Sequence, residues 1–372
     1  MKVVVALDSY KGSLTAVETC NIVAQAVSEA IPEVEVIKVP MADGGEGTLS
    51  ALVQASDGFK VPLKILGPLL QPVDTYYGVL GDNKTVVIEA ASIVGLTMIE
   101  ESQRDVMRAS TYGMGQTLKS ALDDGYQKFI FALGGSVTND GGFGFLQALG
   151  AKFHNASGRE LEPIGASLPE ISSIDLIELD KRLSDCEIHV ASDVDNPLCG
   201  KHGASAVFGT QKGATKEMIT FLDNGLANYA SLLETALDKT LQNNPGAGAA
   251  GGLGFALMAV GGRVQSGARL VANATSLGDQ LEGADYVITG EGRTDEQTQF
   301  GKVPVVVAQM AHEHGVKPIL LSGSLDGHLE SLQSHFVGLY SIISRPMTTF
   351  EAMSNASSLL HFAARNLATL LR

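Results

Sequence analysis

The chain begins with the stretch KVVVALDSYKGS, residues 2–13, in which an uninterrupted apolar run leads into a polar turn with a glycine. A continuous apolar run of this length is typical of a parallel strand that is covered on both faces. In the next segment, Leu14–Ala30, the apolar residues recur at helical spacing, which predicts a helix. A second strand over Val34–Val39 and a helix over Leu49–Ala55 complete a βαβα pattern, which predicts a doubly wound sheet.

The same alternation of strands and helices returns near the C-terminus. Strands are predicted over Asp285–Thr289, Pro318–Ser322 and Val337–Ile343, and helices over Val303–His314 and Ala352–Leu371. Two strands from the start of the chain and three from its end therefore predict one five-stranded parallel sheet with a flavodoxin-like strand order.

The middle of the chain has a different pattern. Thr75–Leu80 and Thr85–Ala90 predict a β-hairpin, because a short turn-forming segment separates two apolar runs. Lys128–Leu133 and Glu187–Ser192 predict two further buried strands. This different pattern of strands indicates a second α/β region, which lies in the sequence between the two halves of the first α/β region.

We therefore expect an α/β chain in which one domain is inserted into another. Residues 1–66 and 263–372 form the expected flavodoxin-like domain, which is discontinuous, and residues 67–262 form the inserted α/β domain. The length agrees with this division, since 372 residues exceed the usual size of a single core.

Composition and charge exclude several classes of protein. The chain has 26 Lys and Arg against 41 Asp and Glu, a net charge of −15 that would repel nucleic acid and anionic lipid. The uncharged stretch Gly246–Gly262 is glycine-rich and shorter than the roughly 20 apolar residues of a membrane span. Three scattered cysteines and no visible signal peptide lead us to expect a cytoplasmic monomer or homodimer with no nucleic-acid or membrane partner.

Glycine-rich turns are the main anomaly of the sequence, which contains 42 glycines. Glycine lets the backbone approach an anion closely, and a helix N-terminus adds partial positive charge. One such loop is explained as a tight turn, but four that also contain Asp, Asn, Ser or Thr favour phosphate or nucleotide binding. The four loops are Asp43–Thr48, Gly134–Gly144, Gly246–Gly254 and Gly290–Asp295. None matches the Walker A pattern, and none is a GxGxxG that follows a strand, so a nicotinamide enzyme is not favoured.

Charged residues at the predicted strand ends suit phosphoryl transfer. This chemistry needs cations for the phosphates, acidic groups for magnesium, and a group that orients or deprotonates the acceptor hydroxyl. Lys11 and Arg293 follow predicted strands and would reach the carboxyl edge of one sheet, although each is equally explained as a solvated surface residue. Asp193 follows a buried strand and could accept the proton, or it could close an Asx turn.

Long collinear motifs make the chain similar to the bacterial glycerate kinase family, type I. These motifs are DSYKGS (8–13), PMADGGEGT (40–48), GGSVTNDGG (134–142), ASDVDNPLCG (191–200), FGTQKGA (208–214), PGAGAAGGLGFAL (245–257) and GEGRTDEQTQFGKVP (290–304). The resemblance implies a two-domain α/β fold and transfer of the ATP γ-phosphoryl group to D-glycerate, with Mg²⁺, in the interdomain cleft. The implied product is 2-phosphoglycerate. A 3-phosphoglycerate product, or another short hydroxy acid as substrate, remains an alternative.

The resemblance also implies roles for individual residues. The implied catalytic residues are Asp193, as base or orienting group, with Lys11 and Arg293. The implied substrate-binding residues are Lys11, Asp8, Ser9, Asp43, Arg293 and Asp295, of which Asp43 and Asp295 are also the expected metal ligands. The residues expected to cradle nucleotide phosphates are Gly134, Gly135, Ser136, Thr138, Asn139, Gly248, Gly251 and Gly252.

The chain departs from the family pattern at Asp195, where an uncharged residue is common. On a strand-like path, residues two apart share a face, so Asp193 and Asp195 could both reach a ligand and either could be the base. A second class of function is a flavin- or nucleotide-binding module without catalysis. The absence of Trp and the small number of aromatic residues beside the loops disfavour a flavin.

Overall fold

The structure is a computed structural model that describes residues 1–372, apart from the side chain of Phe300. Its strands are β1 Lys2–Leu7, β2 Glu35–Lys38, β3 Phe59–Leu66, β4 Pro72–Val79, β5 Thr85–Glu89, β6 Lys128–Ala132, β7 Lys152–His154, β8 Ser173–Asp175, β9 Glu187–Ala191, β10 Arg263–Gln265, β11 Tyr286–Gly290, β12 Arg293–Thr294, β13 Lys317–Ser322, β14 Ser324–Leu325 and β15 Gly338–Ser341. Its α-helices are α1 Ala16–Ala30, α2 Thr48–Ala55, α3 Ala90–Val94, α4 Tyr112–Asp123, α5 Phe143–Ala148, α6 Ala204–Phe208, α7 Lys216–Leu237, α8 Ala249–Ala259, α9 Gly267–Ala274, α10 Leu277–Leu281, α11 Val303–Glu313, α12 Glu330–Gln333, α13 Thr349–Ser354 and α14 Ala356–Leu371.

The chain folds as two compact units. The first unit comprises Met1–Asp43, Ser50–Gly58 and Ser266–Arg372, and the second comprises Gly44–Leu49 and Phe59–Gln265. Strand β3 belongs to the second unit because it pairs along its whole length with β4. The domain division at residues 66/67 and 262/263 stays a prediction.

A five-stranded parallel sheet forms the centre of the first unit, in the order β15-β13-β11-β1-β2. Counted along this unit, the order is 2-1-3-4-5, which confirms the predicted flavodoxin-like arrangement. Helices α1 and α14 cover one face, where Val3 and Val5 of β1 pack with Val23 and Leu360. Such burial on both sides of a strand explains the uninterrupted apolar run at the start of the chain.

The C-terminal helical segment differs from the prediction of one helix over 352–371. It is divided into α13 and α14 at Asn355, whose side-chain amide donates to the carbonyl of Glu351 at 2.8 Å. Asparagine competes for backbone hydrogen bonds in this way, which favours a helix boundary. Within the described part of the chain, no helix is both long and apolar enough to cross a membrane.

The second unit contains a mixed six-stranded sheet in the order β10-β9-β6-β5-β4-β3. Strands β5, β6, β9 and β10 are parallel, and the β4–β5 hairpin predicted from the sequence is present as an antiparallel pair. The core includes Phe129 and Phe131 of β6, with Phe143 and Phe145 at the start of α5. The carboxyl ends of four parallel strands therefore meet at one edge of this sheet as well.

Helix α8 begins with an unusual turn. Ala250, Gly251 and Gly252 have φ angles of 52°, 69° and 93°, so regular helical geometry begins only at Leu253. A β-carbon on Gly251 would lie 2.0 Å from the carbonyl oxygen of Thr138. The Gly246–Gly254 loop thus leads into the buried helix α8, and it lies in direct contact with the backbone of the Gly134–Gly144 loop.

Replacement of Gly251 by Ala should be far more costly than the same change at Gly261. Both glycines have positive φ, which costs an alanine about 1–2 kcal/mol, but a β-carbon on Gly261 would meet no atom within 4 Å. We expect Gly261→Ala to lower the free energy of unfolding by about that amount and Gly251→Ala by more than about 3 kcal/mol. Urea unfolding of both variants measures the difference, and equal losses would refute the backbone contact.

Candidate active site

Acidic side chains follow neighbouring strands of the first unit's sheet. Asp8 comes directly after β1, and Glu291 comes directly after β11, the strand that pairs with β1. Asp43 lies five residues beyond the end of β2, on the other side of β1. The strand order of the sheet changes direction between β1 and β11, and open α/β sheets bind ligands at that point, outside the carboxyl ends of the strands.

Lys11 supplies a positive charge to this edge. Its ammonium group donates to the Asp43 carboxylate at 2.8 Å, while 69% of the Lys11 side chain and 23% of the Asp43 side chain are exposed. Partial burial lowers the pKa of Lys11, but the charge and hydrogen bond of Asp43 outweigh it, so that the pKa is raised overall. Lys11 therefore stays protonated, and most of its side chain remains accessible to a ligand.

Asp8 is the most perturbed carboxyl group of the first unit. Burial, followed by the negative charges of Asp43 and Glu291, raises the pKa of Asp8 from its ordinary value of 3.8 to about 8. Lys11 and the backbone N–H of Ser9, which donates to Asp8 Oδ1 at 2.6 Å, oppose the shift only in part. Burial is thus the main reason why Asp8 is protonated more readily than an exposed aspartate, and the neighbouring carboxylates add to that effect.

Glu291 is held by a network of hydroxyl groups. Its Oε1 atom accepts from Thr298 Oγ1 at 2.6 Å and from Thr294 Oγ1 at 3.3 Å. Thr294 also shares a 2.8 Å hydrogen bond with Ser322, at the end of β13. Burial raises the pKa of Glu291, while Lys302 lies 3.7 Å from Oε2. Both residues lie in the motif GEGRTDEQTQFGKVP (290–304), but the sequence assigned neither of them a role, because their contacts become visible only in this network.

Arg293 lies on the outer side of the same edge. Its Nη2 atom contacts Asp326 at 2.6 Å, and its Nε atom lies 3.7 Å from Asp295, with 64% of the arginine side chain exposed. Asp295 in turn accepts the backbone N–H of Gln297 at 2.9 Å and begins the turn that follows. The guanidinium group is therefore paired but largely solvated, and exposed ion pairs of this kind contribute little stability.

The loop after β6 gives the second unit two backbone donors. Gly135 is exposed with a φ of 75°, and Gly134 is half-buried. The N–H of Gly134 donates to the carbonyl of Gly44 at 2.9 Å, and that of Val137 to Val94 at 2.9 Å. Among the described residues, the N–H groups of Gly135 and Ser136 have no acceptor, although Ser136 is only 4% exposed. Successive free N–H groups in a turn of this kind suit an anion.

Other residues predicted to cradle phosphates are buried. Thr138 and Asn139 are fully inaccessible, and the Asn139 amide donates to Ser205 Oγ at 2.8 Å. Gly248, Gly251 and Gly252 are also buried. Gly248 and Gly252 also pack closely, since a β-carbon on Gly248 would lie 2.4 Å from Pro197 O, and one on Gly252 would lie 2.6 Å from the α-carbon of Gly141. Backbone packing accounts for these glycines, and their part in nucleotide binding stays a prediction.

The loop Asp43–Thr48 does not offer a free helix N-terminus in the structure. Glu89, at the end of β5, accepts the backbone N–H of Leu49 at 2.9 Å and that of Gly47. Glu89 is 5% exposed, and this burial raises the pKa of its carboxyl group. An internal carboxylate therefore occupies the anion position at the start of α2, which a ligand phosphate would otherwise take.

Asp193 and Asp195 are both exposed and follow β9. They belong to the second unit, at the carboxyl edge of the sheet from which the Gly134–Ser136 segment also extends. Val194 between them is half-buried, so the two aspartates lie on the solvent-exposed side of this loop. The question of which carboxylate is the base stays open.

The structure thus groups the predicted site residues into two sets. The first unit contains Asp8, Ser9, Lys11, Asp43, Arg293 and Asp295, and the second contains Gly134, Gly135, Ser136, Thr138, Asn139, Asp193, Gly248, Gly251 and Gly252. Ionic contacts or hydrogen bonds directly join Lys11 with Asp43, Arg293 with Asp295, and Ser9 with Asp8. Their catalytic and binding roles stay predictions.

Replacement of Asp8 by Asn should stabilise the protein at high pH. The folded-state pKa of Asp8 lies above its ordinary value, so ionisation opposes folding increasingly between about pH 4 and pH 8 and fully above that range. We expect Asp8→Asn to raise the melting temperature at pH 9 by about 2 °C or more, and by less at pH 5. Calorimetry at both pH values tests this, with Glu33→Gln as the exposed control. A gain that is equal at both pH values would contradict the assigned electrostatics.

Comparisons with known proteins place this architecture in one family. A family model described as the glycerate kinase family matches residues 3–372. The chain is 42% identical to a glycerate kinase of Bacillus cereus, over 99% of this chain and 97% of that protein. It is also 42% identical to a glycerate 2-kinase of Escherichia coli, over 100% of this chain and 98% of that protein. A crystal structure assigned as a glycerate kinase 2 of Salmonella typhimurium matches with a TM-score of 0.89 and 44% identity, covering 100% of this chain and 98% of that one. This chain therefore belongs to the glycerate kinase family and is a kinase.

Proposed function

We propose that this kinase transfers the γ-phosphoryl group of ATP to D-glycerate, with Mg²⁺, and forms 2-phosphoglycerate. The observation that carries the proposal is identity of 42% over nearly the whole chain to proteins named glycerate kinase and glycerate 2-kinase. A 3-phosphoglycerate product, or another short hydroxy acid as acceptor, is the alternative, because exposed cations would serve any small carboxylate.

Lys11 and Arg293 bind the anionic groups of the reactants in this proposal. Both side chains are more than 60% exposed and each is paired with an aspartate, Asp43 or Asp326. Such exposed pairs are worth about 0–1 kcal/mol, so a carboxylate or phosphate can displace the aspartate at small cost. Arginine adds a planar pair of donors that matches either anion.

The carboxylates of the first unit fit the chemistry of a magnesium ion. Among the residues that the structure describes, no three His, Cys, Asp or Glu side chains form a ready-made metal cage. Magnesium does not need one, because it commonly keeps several waters and takes one or two carboxylates together with substrate phosphates. Burial is the main cause of the raised pKa of Asp8, and the charges of Asp43 and Glu291 contribute to it, so a cation beside these carboxylates would lower that pKa again. Asp43 and Asp295 would hold the ion, which when bound neutralises charge on the phosphates.

The second unit contributes donors and a base in this proposal. The unpaired N–H groups of Gly135 and Ser136 bind nucleotide phosphates. Asp193 orients the acceptor hydroxyl of glycerate and takes its proton as the oxygen attacks the γ-phosphorus. We also propose that the two units are separate domains and that the protein acts in the cytoplasm as a monomer or homodimer.

An assay of ADP release tests the proposed reaction directly. Purified protein with ATP, Mg²⁺ and D-glycerate should release ADP well above the control without glycerate, and chelation of divalent ions should abolish the difference. Phosphorus NMR of the product separates 2-phosphoglycerate from 3-phosphoglycerate. A panel of L-glycerate, glycolate and lactate tests the alternative acceptors. Turnover no higher than the control without glycerate would refute the proposal.

Substitution of the two exposed aspartates after β9 separates the candidates for the base. If Asp193 takes the proton, Asp193→Asn should lower kcat by about 100- to 10,000-fold with an unchanged melting temperature. Asp195→Asn serves as the matched control and should retain kcat within a few-fold. The reverse result would transfer the role to Asp195, and near-normal turnover of both variants would exclude either residue.

A further inference from the structure

The buried side chain of Lys212 lies directly beneath the loop that carries the two free N–H groups. Lys212 belongs to the motif FGTQKGA and is only 2% exposed. Its ammonium group donates to the carbonyl of Thr138 at 2.7 Å and to Ser136 Oγ at 3.2 Å. Both acceptors lie in the loop after β6, on either side of Val137.

We propose that Lys212 is a positioning residue, which holds the Gly134–Asn139 loop in the conformation that binds nucleotide phosphates. This inference rests on the proposed function of that loop. Lys212 is itself too buried to touch a ligand, so it acts through the backbone and side chain to which it is bonded.

The other contacts of the loop support this role. The N–H of Leu96 donates to the carbonyl of Gly135 at 2.7 Å. Arg104 donates to the carbonyl of Leu96 at 3.4 Å and to that of Gln211, the neighbour of Lys212, at 3.0 Å. Each of these contacts uses a carbonyl or side-chain oxygen of the loop or its neighbours. Among the described residues, the N–H groups of Gly135 and Ser136 are left without an acceptor.

A buried ammonium group is costly, which argues that it does more than fill space. Burial lowers the pKa of Lys212 to about 7, and the buried carboxylate of Asp140 opposes this only in part. Asp140 is itself satisfied by four donors, from the backbone and hydroxyl of Thr111 and the backbone of Gly142 and Gly144. Loss of the lysine charge would leave Asp140 hydrogen-bonded, so the expected cost of an apolar replacement of similar length is that of the lost donor to Thr138.

Replacement of Lys212 by Met tests the proposal. We expect the melting temperature to stay within a few degrees of that of the unmodified protein, whereas the dissociation constant for ADP and the KM for ATP rise at least tenfold. The KM for D-glycerate should stay within twofold, because the effect is confined to the phosphate loop. Lys216→Met removes an exposed lysine at the start of α7 and should change none of these values.

The outcomes separate this inference from the proposed function. If the unmodified protein does not bind ADP, both are overturned. If it binds ADP and Lys212→Met binds it equally well, or if both KM values rise together, only the role of Lys212 is overturned. Should Lys212→Met fail to fold, Ser136→Ala decides, since it removes one of the two acceptors: ADP binding weakened at least threefold supports the role, and unchanged binding overturns it.

Discussion

The contact between two glycine-rich backbone segments is the constraint on which the second unit's loops depend. Gly251 lies against the carbonyl of Thr138, and the N–H of Gly141 donates to the carbonyl of Gly251 at 2.9 Å. Only residues without a side chain allow this approach, so each segment fixes the path of the other. Because Thr138 is also an acceptor for Lys212, the same contact helps to determine where the buried cation can lie.

The sequence predicted the first unit's sheet well, because its central strands are buried on both faces and therefore consist of continuous runs of apolar residues. Lys2–Leu7 and Pro318–Ser322 were placed within one residue of β1 and β13. The local sequence does not predict strand β3, because most of its residues are exposed or half-buried and it contains a proline at position 62. Its membership of a sheet depends on its pairing with β4, which lies outside its own local sequence.

Residues of the candidate site could be predicted only where the residue type has one dominant structural or chemical role at such a position. Lys11 and Arg293 followed from charges placed after strands, and both are exposed at a sheet edge. Glycine is ambiguous, because a loop that binds phosphate and a loop that packs against another backbone have the same composition. Gly135 is exposed whereas Gly251 is buried, and no local pattern separates them. The burial of Lys212 is harder still to predict, since a lysine between polar residues and glycines would ordinarily be solvated.

In the proposed reaction an acidic protein must bind two anionic reactants, so it must concentrate its cations without fixing them too tightly. The first unit meets this need with pairs such as Lys11–Asp43, in which the cation is exposed and the aspartate is a replaceable partner. In the proposal the second unit contributes backbone N–H groups, which attract anions without adding a mobile charge. Lys212 differs from both, because removing its partners would leave a buried charge unsatisfied. The exchangeable cations are therefore suited to meeting a ligand, and the buried cation is suited to holding the loop that meets it.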